Sequence, residues 1–382
     1  VKVLISGTAG AGGWPLPDCG CASCARLVHG CRRPTAVVLS DSVRLPPTGP
    51  LPSGYRTTTG ADGLTVTTPD GDRILYAAPL PVPPPDPYGE QTDPRSPAPT
   101  GNRQGALDQG ALDLVLVDVL DRPERLGDLR RRGLVGERTH VVAVNIDHRV
   151  PTETELARRA ALWGVRAVPD GTVIDTREPA PPLPPLPRRT LLLGGSRSGK
   201  SAEAELRLAA EPEVLYVATG PSGGDDPEWL RRIDAHRDRR PGHWDTVETT
   251  DLAGLLRTAT TPMLIDGLGT WVAAVFDECD AWADGGSTNG ESGGSGENTG
   301  SGGGGRDGRD AVTARCDELV AAWRQARARI VAVSDEVGLG VVPVTSSGRM
   351  FRDTLGRLNQ RLALESEDVA LVVSGRLLPL PL

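Results

Sequence analysis

Residues 190–201 read Thr190-Leu191-Leu192-Leu193-Gly194-Gly195-Ser196-Arg197-Ser198-Gly199-Lys200-Ser201, an apolar run that opens into a complete G-x-x-x-x-G-K-S loop. The residues that follow, Ala202-Glu203-Ala204-Glu205-Leu206-Arg207-Leu208-Ala209-Ala210, form helices readily. This strand–loop–helix context is what a phosphate-binding loop requires. Its glycines let backbone N–H groups wrap an anion at a helix N-terminus, where the helix dipole also favours negative charge. Lys200 is placed to reach the β- and γ-phosphates, and the Ser201 hydroxyl to sit on Mg²⁺. Gly194, Gly195, Ser196, Arg197, Ser198, Gly199, Lys200 and Ser201 are therefore expected to hold a nucleoside triphosphate.

Short apolar runs alternate with helical patterns through the C-terminal half. Strands are expected at 190–193, 214–218, 263–266, 330–333 and 369–373, and helices at 201–210, 227–237, 251–258, 270–283, 311–328 and 348–363. That alternation implies an α/β domain with a mostly parallel sheet flanked by helices. Its ligand belongs at the carboxyl ends of the strands, where the phosphate loop lies. Met263-Leu264-Ile265-Asp266 is an apolar strand ending in an acid, and Asp266 is expected to complete the Mg²⁺ site begun by Ser201.

Two composition breaks divide the 382 residues. Residues 178–188 are proline-rich and read as a semi-rigid linker between a domain at 1–177 and one at 189–382. Residues 284–310, dominated by Gly, Ser, Asn and Glu, read as a disordered insertion. The stretch 79–99 is also proline-rich and reads as loop. With 34 prolines, 47 glycines and only 3% aromatic residues, much of the length is loop or linker. A net charge of −8 argues against a nucleic-acid partner, since the total implies no basic face. The apolar runs are too short to span a bilayer. Residues 1–7 read as a first strand rather than a signal peptide, so a cytoplasmic location is expected.

The segment 225–240 packs one histidine, His236, among five arginines. Periodicity alone makes it a polar helix face with a solvated imidazole. A nucleophilic role needs a neutral imidazole beside cations able to neutralise a triphosphate, and the segment supplies both. Neighbouring guanidinium groups favour the uncharged ring.

Further motifs follow in order: Tyr216-Val217-Ala218-Thr219, Arg232-Ile233-x-x-His236-Arg237, Trp244-x-Thr246-x-Glu248 and Leu264-Ile265-Asp266. Then come Glu336-Val337-Gly338-Leu339-Gly340-Val341-Val342-Pro343, Phe351-Arg352-Asp353-x-x-Gly356-x-Leu358-Asn359-Gln360 and Val372-Val373-Ser374-Gly375. Together with the phosphate loop, the set resembles the bifunctional adenosylcobinamide kinase/adenosylcobinamide-phosphate guanylyltransferase family of cobalamin biosynthesis, over residues 189–377. The resemblance implies two steps. A nucleoside triphosphate, GTP or ATP, phosphorylates the hydroxyl on the aminopropanol arm of adenosylcobinamide. GTP then gives GMP to a histidine, matched here by His236, and the phosphorylated cobinamide takes it up. By the same resemblance Arg237, Asp238, Arg239, Arg240, Glu248 and Asp266 contact GTP, while Val217, Ala218 and Thr219 line its guanine or ribose side. A homo-oligomer, a trimer in this family, is the implied state. A reading from another class is a nucleotide-binding regulatory or metal-delivery protein, whose switching would need no nucleophile at His236.

In the N-terminal half, Cys19-x-Cys21-x-x-Cys24 has spacing suited to a structural zinc, with Cys31 or a histidine as fourth ligand. Free reduced thiols are the alternative. The glycine-rich loop 7–15 and this spacing resemble the start of metallo-β-lactamase-fold phosphodiesterases. The hydrolytic H-x-H-x-D-H string of that family is missing, and the half holds only His29, His140 and His148. Residues 1–177 are thus expected to be a smaller, degenerate, non-hydrolytic α/β domain.

Overall fold

The computed structural model describes residues 1–27, 32–79, 110–220, 240–282 and 304–381. The expected helix at 227–237 and nearly all of the proline-rich stretch 79–99 lie outside them. The chain divides into two compact units, Val1–Pro184 with Ala210–Pro212, and Pro185–Ala209 with Glu213–Leu382. No helix or strand occurs between Asp175 and Arg189.

The first unit holds two sheets. Strands β1 (Lys2–Gly7), β2 (Ala36–Leu39), β3 (Val43–Leu45) and β9 (Thr172–Asp175) pair antiparallel in the order β3-β2-β1-β9. Strands β4 (Arg56–Gly60), β5 (Gly63–Thr67), β6 (Arg73–Ala77), β7 (Leu114–Val117) and β8 (His140–Ala143) follow chain order, antiparallel up to β6 and parallel beyond. Alternate residues of both sheets, among them Val3, Ile5, Leu39, Val66, Ile74, Leu116 and Val142, meet in one apolar core. Strands β1, β2, β3 and β5 show the period-two burial of strands with one covered face, whereas β7 and β8 are buried on both faces. Helices α1 (Ala22–Arg26), α2 (Glu124–Arg131) and α3 (Glu153–Trp163) complete the unit among its described residues. Thr152 caps α3 by accepting from the Glu155 N–H, and Gly164, at φ 64°, ends it.

The second unit is built on seven strands: β10 (Arg189–Gly194), β11 (Leu215–Ala218), β12 (Asp245–Glu248), β13 (Met263–Asp266), β14 (Ile330–Asp335), β15 (Asp368–Val373) and β16 (Arg376–Pro379). Their order is β12-β11-β13-β14-β10-β15-β16, parallel throughout except for the β15–β16 pair. The expected α/β class and parallel-rich sheet are observed. Around the sheet run α4 (Lys200–Leu208), α5 (Leu252–Thr258), α6 (Leu268–Glu278), α7 (Gly304–Gln325) and α8 (Ser346–Leu364). Strand β10 is apolar on both sides because both its faces are covered. Leu191 and Leu193 join a core with Trp271, Phe276 and Trp323, while Leu192 packs with Leu208, Tyr216 and Val331. Such complete burial contributes about 1.5–3 kcal/mol per large apolar side chain.

Two strands escape the apolar-run criterion. Strand β12 is an edge strand whose Asp245, Thr246 and Glu248 are polar, and an edge needs no buried run. Strand β16 returns through Ser374 (φ 50°) and Gly375 (φ 72°), the left-handed pair that a two-residue hairpin turn requires. Helix α7 takes in residues 304–310, the last part of the expected loop at 284–310, while 284–303 lie outside the described residues. It begins at Gly304, because an apolar face from Val312 through Cys316, Leu319 and Trp323 docks the helix and carries its first turns upstream.

Candidate functional site

Register places the site. Gly194 pairs with Asp335, while Asp266 pairs with Val333 and with Ala218, which also pairs with Glu248. All three carboxylates thus end their strands at the sheet end that carries the phosphate loop, Asp266 two residues short of Asp335. The fold adds Asp335, Tyr216 and Asn359 to this end of the sheet. For Asp335 the signal was present: an apolar strand ending in an acid, the same pattern that marked Asp266.

The loop itself is held by backbone geometry. Arg197 sits at φ 57°, and Gly199, at φ 100°, precedes the first turn of α4. A Cβ on Gly194 would lie 2.7 Å from the Val372 carbonyl oxygen, so close strand packing needs glycine there. The Gly375 N–H donates to the Ser198 carbonyl at 2.7 Å, tying the loop to the β15–β16 turn. The Ser198 hydroxyl is buried without a partner among the described residues.

Lys200 donates to the Gly195 carbonyl at 3.1 Å and pairs with Asp335 at 2.9 Å. The Ser201 hydroxyl donates to Asp266 at 3.1 Å, and the Tyr216 hydroxyl donates to the other Asp266 oxygen at 2.6 Å. Burial, and then the Asp266 carboxylate, push the Tyr216 phenol far above its ordinary value, so it remains a donor. The Arg240 guanidinium lies 3.2 Å from the centre of the Tyr216 ring, a cation–π contact. Thr219, 1% exposed, donates to the Gly267 carbonyl at 2.6 Å and lies 2.8 Å from the Thr270 hydroxyl. Asn359 accepts from the Ser334 hydroxyl at 2.6 Å and donates to the Asp335 carbonyl at 3.1 Å, clamping the end of β14.

Residues 195–202 line a cavity of about 1010 Å³ together with Thr270, Asp335, Phe351 and Arg352. Ser201 and Asp266 offer the hard oxygen donors that Mg²⁺ takes. Of the expected site residues, the phosphate loop, Asp266 and Arg240 are joined by these contacts. Val217 is buried within β11, while Ala218 and Glu248 stand at the same sheet end. His236, Arg237, Asp238 and Arg239 lie outside the described residues.

In the first unit Cys19, Cys21, Cys24 and His148 bring one ligand atom each to within 4.8 Å of one another. Cys19 Sγ is 3.3 Å, and Cys24 Sγ 3.8 Å, from His148 Nδ1. A tetrahedral zinc with bonds of 2.0–2.3 Å needs ligand separations of about 3.3–3.8 Å. Cys21 caps α1, accepting from the Cys24 N–H at 3.4 Å, which with neighbouring donors lowers its thiol to about 7. Burial pushes the Cys24 thiol up. His148 follows β8 and reaches the cysteines only in the folded chain; Cys31 and His29 lie outside the described residues.

Comparison with known proteins covers the C-terminal half. The family model described as cobinamide kinase / cobinamide phosphate guanyltransferase matches residues 190–380. The bifunctional adenosylcobalamin biosynthesis protein CobU of Salmonella typhimurium is 37% identical over 189 residues, 48% of this chain and 95% of that protein. Its namesake from Escherichia coli is 36% identical over 190 residues, again 48% and 95%. CobP of Pseudomonas aeruginosa, of the same description, is 40% identical over 200 residues, 51% and 96%.

Proposed function

Since this chain belongs to the cobinamide kinase / cobinamide phosphate guanyltransferase family, we propose that its C-terminal unit carries out both reactions named there. In the first, the acceptor hydroxyl of adenosylcobinamide attacks the γ-phosphorus of a nucleoside triphosphate. The nucleoside diphosphate leaves, and the hydroxyl proton passes to solvent or a base. In the second, a His236 ring nitrogen attacks the α-phosphorus of GTP and pyrophosphate leaves. A phosphate oxygen of the phosphorylated cobinamide then displaces the histidine, breaking the P–N bond and forming the P–O bond of adenosyl-GDP-cobinamide.

The observation that carries this reading is the alignment of Gly194, Asp266 and Asp335 at one sheet end. In it the phosphate loop supplies N–H donors, Lys200 supplies charge, and Ser201 with Asp266 would hold Mg²⁺. That ion, when bound, neutralises charge on the transferring phosphoryl group. Tyr216 fixes the Asp266 carboxylate, and Arg240, lodged on the Tyr216 ring, brings a guanidinium to the same end. Arg237, Asp238, Arg239 and Glu248 are assigned by us to GTP, and Ala218 to its guanine or ribose, with the buried Val217 and Thr219 positioning it.

The test is covalent labelling. Protein incubated with α-labelled GTP and Mg²⁺ is expected to carry acid-labile label, and His236→Ala none. Adenosylcobinamide with γ-labelled nucleotide should become phosphorylated in both. Unlabelled wild type would remove the guanylyl-transfer reading.

For the first unit we propose a structural zinc on Cys19, Cys21, Cys24 and His148 in a non-hydrolytic, metallo-β-lactamase-like domain. Its support is the convergence of those four ligand atoms.

A further inference from the structure

A second cavity, of about 950 Å³, adjoins the nucleotide cavity, and the two share Glu336 and Arg352 as lining residues. We propose that this cavity is the acceptor subsite, holding the amide-fringed corrinoid and, after the first step, its phosphate. The proposal rests on the bifunctional reading above, which requires an acceptor to meet the nucleotide yet assigns it no residues.

Four observations converge on it. The first is contiguity: an acceptor hydroxyl can reach the transferring phosphate only from a space that opens onto the phosphate loop, and Glu336 with Arg352 forms that shared border. The second is Gly356, which lines the cavity from within α8, where a glycine weakens a helix relative to alanine. A Cβ built on Gly356 meets nothing within 4 Å. Packing within the described chain therefore does not call for a glycine there, whereas an occupant lying against the helix does.

The third observation is chemical. Arg357 and Gln360 stand exposed on the same helix and line the cavity, and no described residue pairs with the Arg357 guanidinium. A guanidinium suits the phosphate that the acceptor carries into the second step, and an amide suits the carboxamide arms of a corrinoid. The fourth is the strip 336–344, which lends Glu336 and Gly338 to this cavity and Glu336, Val337, Gly340 and Val341 to the nucleotide cavity. It leaves Leu339 77% and Val341 94% exposed, apolar surface beside the border that the two cavities share. Leu193 and Val369 supply a buried apolar floor.

The full chain tests this with Gly356→Leu and Arg357→Gln. Adenosylcobinamide and its phosphate are titrated by equilibrium dialysis, read through corrin absorbance. Label from α-labelled GTP and mass by light scattering are measured beside them. Gly356→Leu is expected to weaken both corrinoids at least 10-fold, with GTP labelling and mass as in wild type. Arg357→Gln, at an exposed position that leaves the core untouched, should weaken the phosphorylated corrinoid about 10-fold and the unphosphorylated one far less. Unchanged corrinoid affinity in both variants overturns the assignment. So does a fall in labelling that parallels the loss of affinity, since the cavity then serves the nucleotide. A change of mass in Gly356→Leu would also overturn it, because a second copy of the chain would then be the occupant. Wild type that takes no label and binds no corrinoid removes the functional reading itself; labelled wild type with unaffected variants removes only the subsite.

Discussion

At the scale of single residues, the site depends on how two carboxylates are restrained. Asp266 is gripped from two sides, by Ser201 and by Tyr216. Tyr216→Phe keeps the ring under Arg240 but deletes the 2.6 Å bond to Asp266. A hydrogen bond to a charged group is worth about 1.5–3 kcal/mol. The Mg²⁺ concentration giving half-maximal activity should therefore rise roughly 10-fold, while GTP affinity without metal stays near wild type. Asp335 works in the opposite sense. It holds Lys200 at 2.9 Å, and that pair must open before the ammonium meets a phosphate. Half-exposed pairs contribute about 0–1 kcal/mol. Asp335→Asn should thus tighten nucleotide binding by up to about 5-fold, measured by calorimetric titration, and weaker binding would give Asp335 a different role.

At the scale of elements, what keeps the phosphate strand in register is its pairing with both neighbours. Arg189, opening β10, donates its backbone N–H to Glu367 at 2.7 Å and its guanidinium to the same carboxylate at 2.6 Å. Burial pushes the Glu367 carboxyl up, but these bonds outweigh burial and hold it below the usual carboxylate range. A carboxyl lowered on folding contributes stability above its unfolded value, near 4.3, and that contribution vanishes as pH falls through the folded value. Melting temperature should therefore fall between about pH 5 and pH 3, and Glu367→Gln should make that acid limb shallower. A limb of unchanged steepness would mean that other carboxylates dominate it.

At the scale of the whole molecule, each compact unit has its own apolar core. Residues 185–382 expressed alone are expected to fold and to take label from α-labelled GTP at a rate within about 3-fold of the full chain. A soluble but unlabelled fragment would show that the first unit contributes to the site. Metal tests the other unit. The full chain should carry close to one zinc, lost in His148→Ala and on strong chelation, and the loss should destabilise the first unit while leaving GTP labelling intact. Among the described residues no helix is long and apolar enough to cross a membrane.

Local pattern along the chain is enough for the phosphate loop, the parallel-rich sheet, Asp266 at a strand end and three of the four members of the Cys/His cluster. Each is written in local spacing: a glycine pattern between strand and helix, alternating apolar runs, thiols within six residues. Tertiary structure alone decided which distant groups meet. Tyr216 reaches Asp266 across 50 residues and His148 reaches Cys19 across 129. Lys200 meets Asp335 only because β14 happens to be the strand that pairs beside β10. Strand order and loop closure are set by the burial of whole faces rather than by any short segment, so no reading along the chain could have paired those atoms.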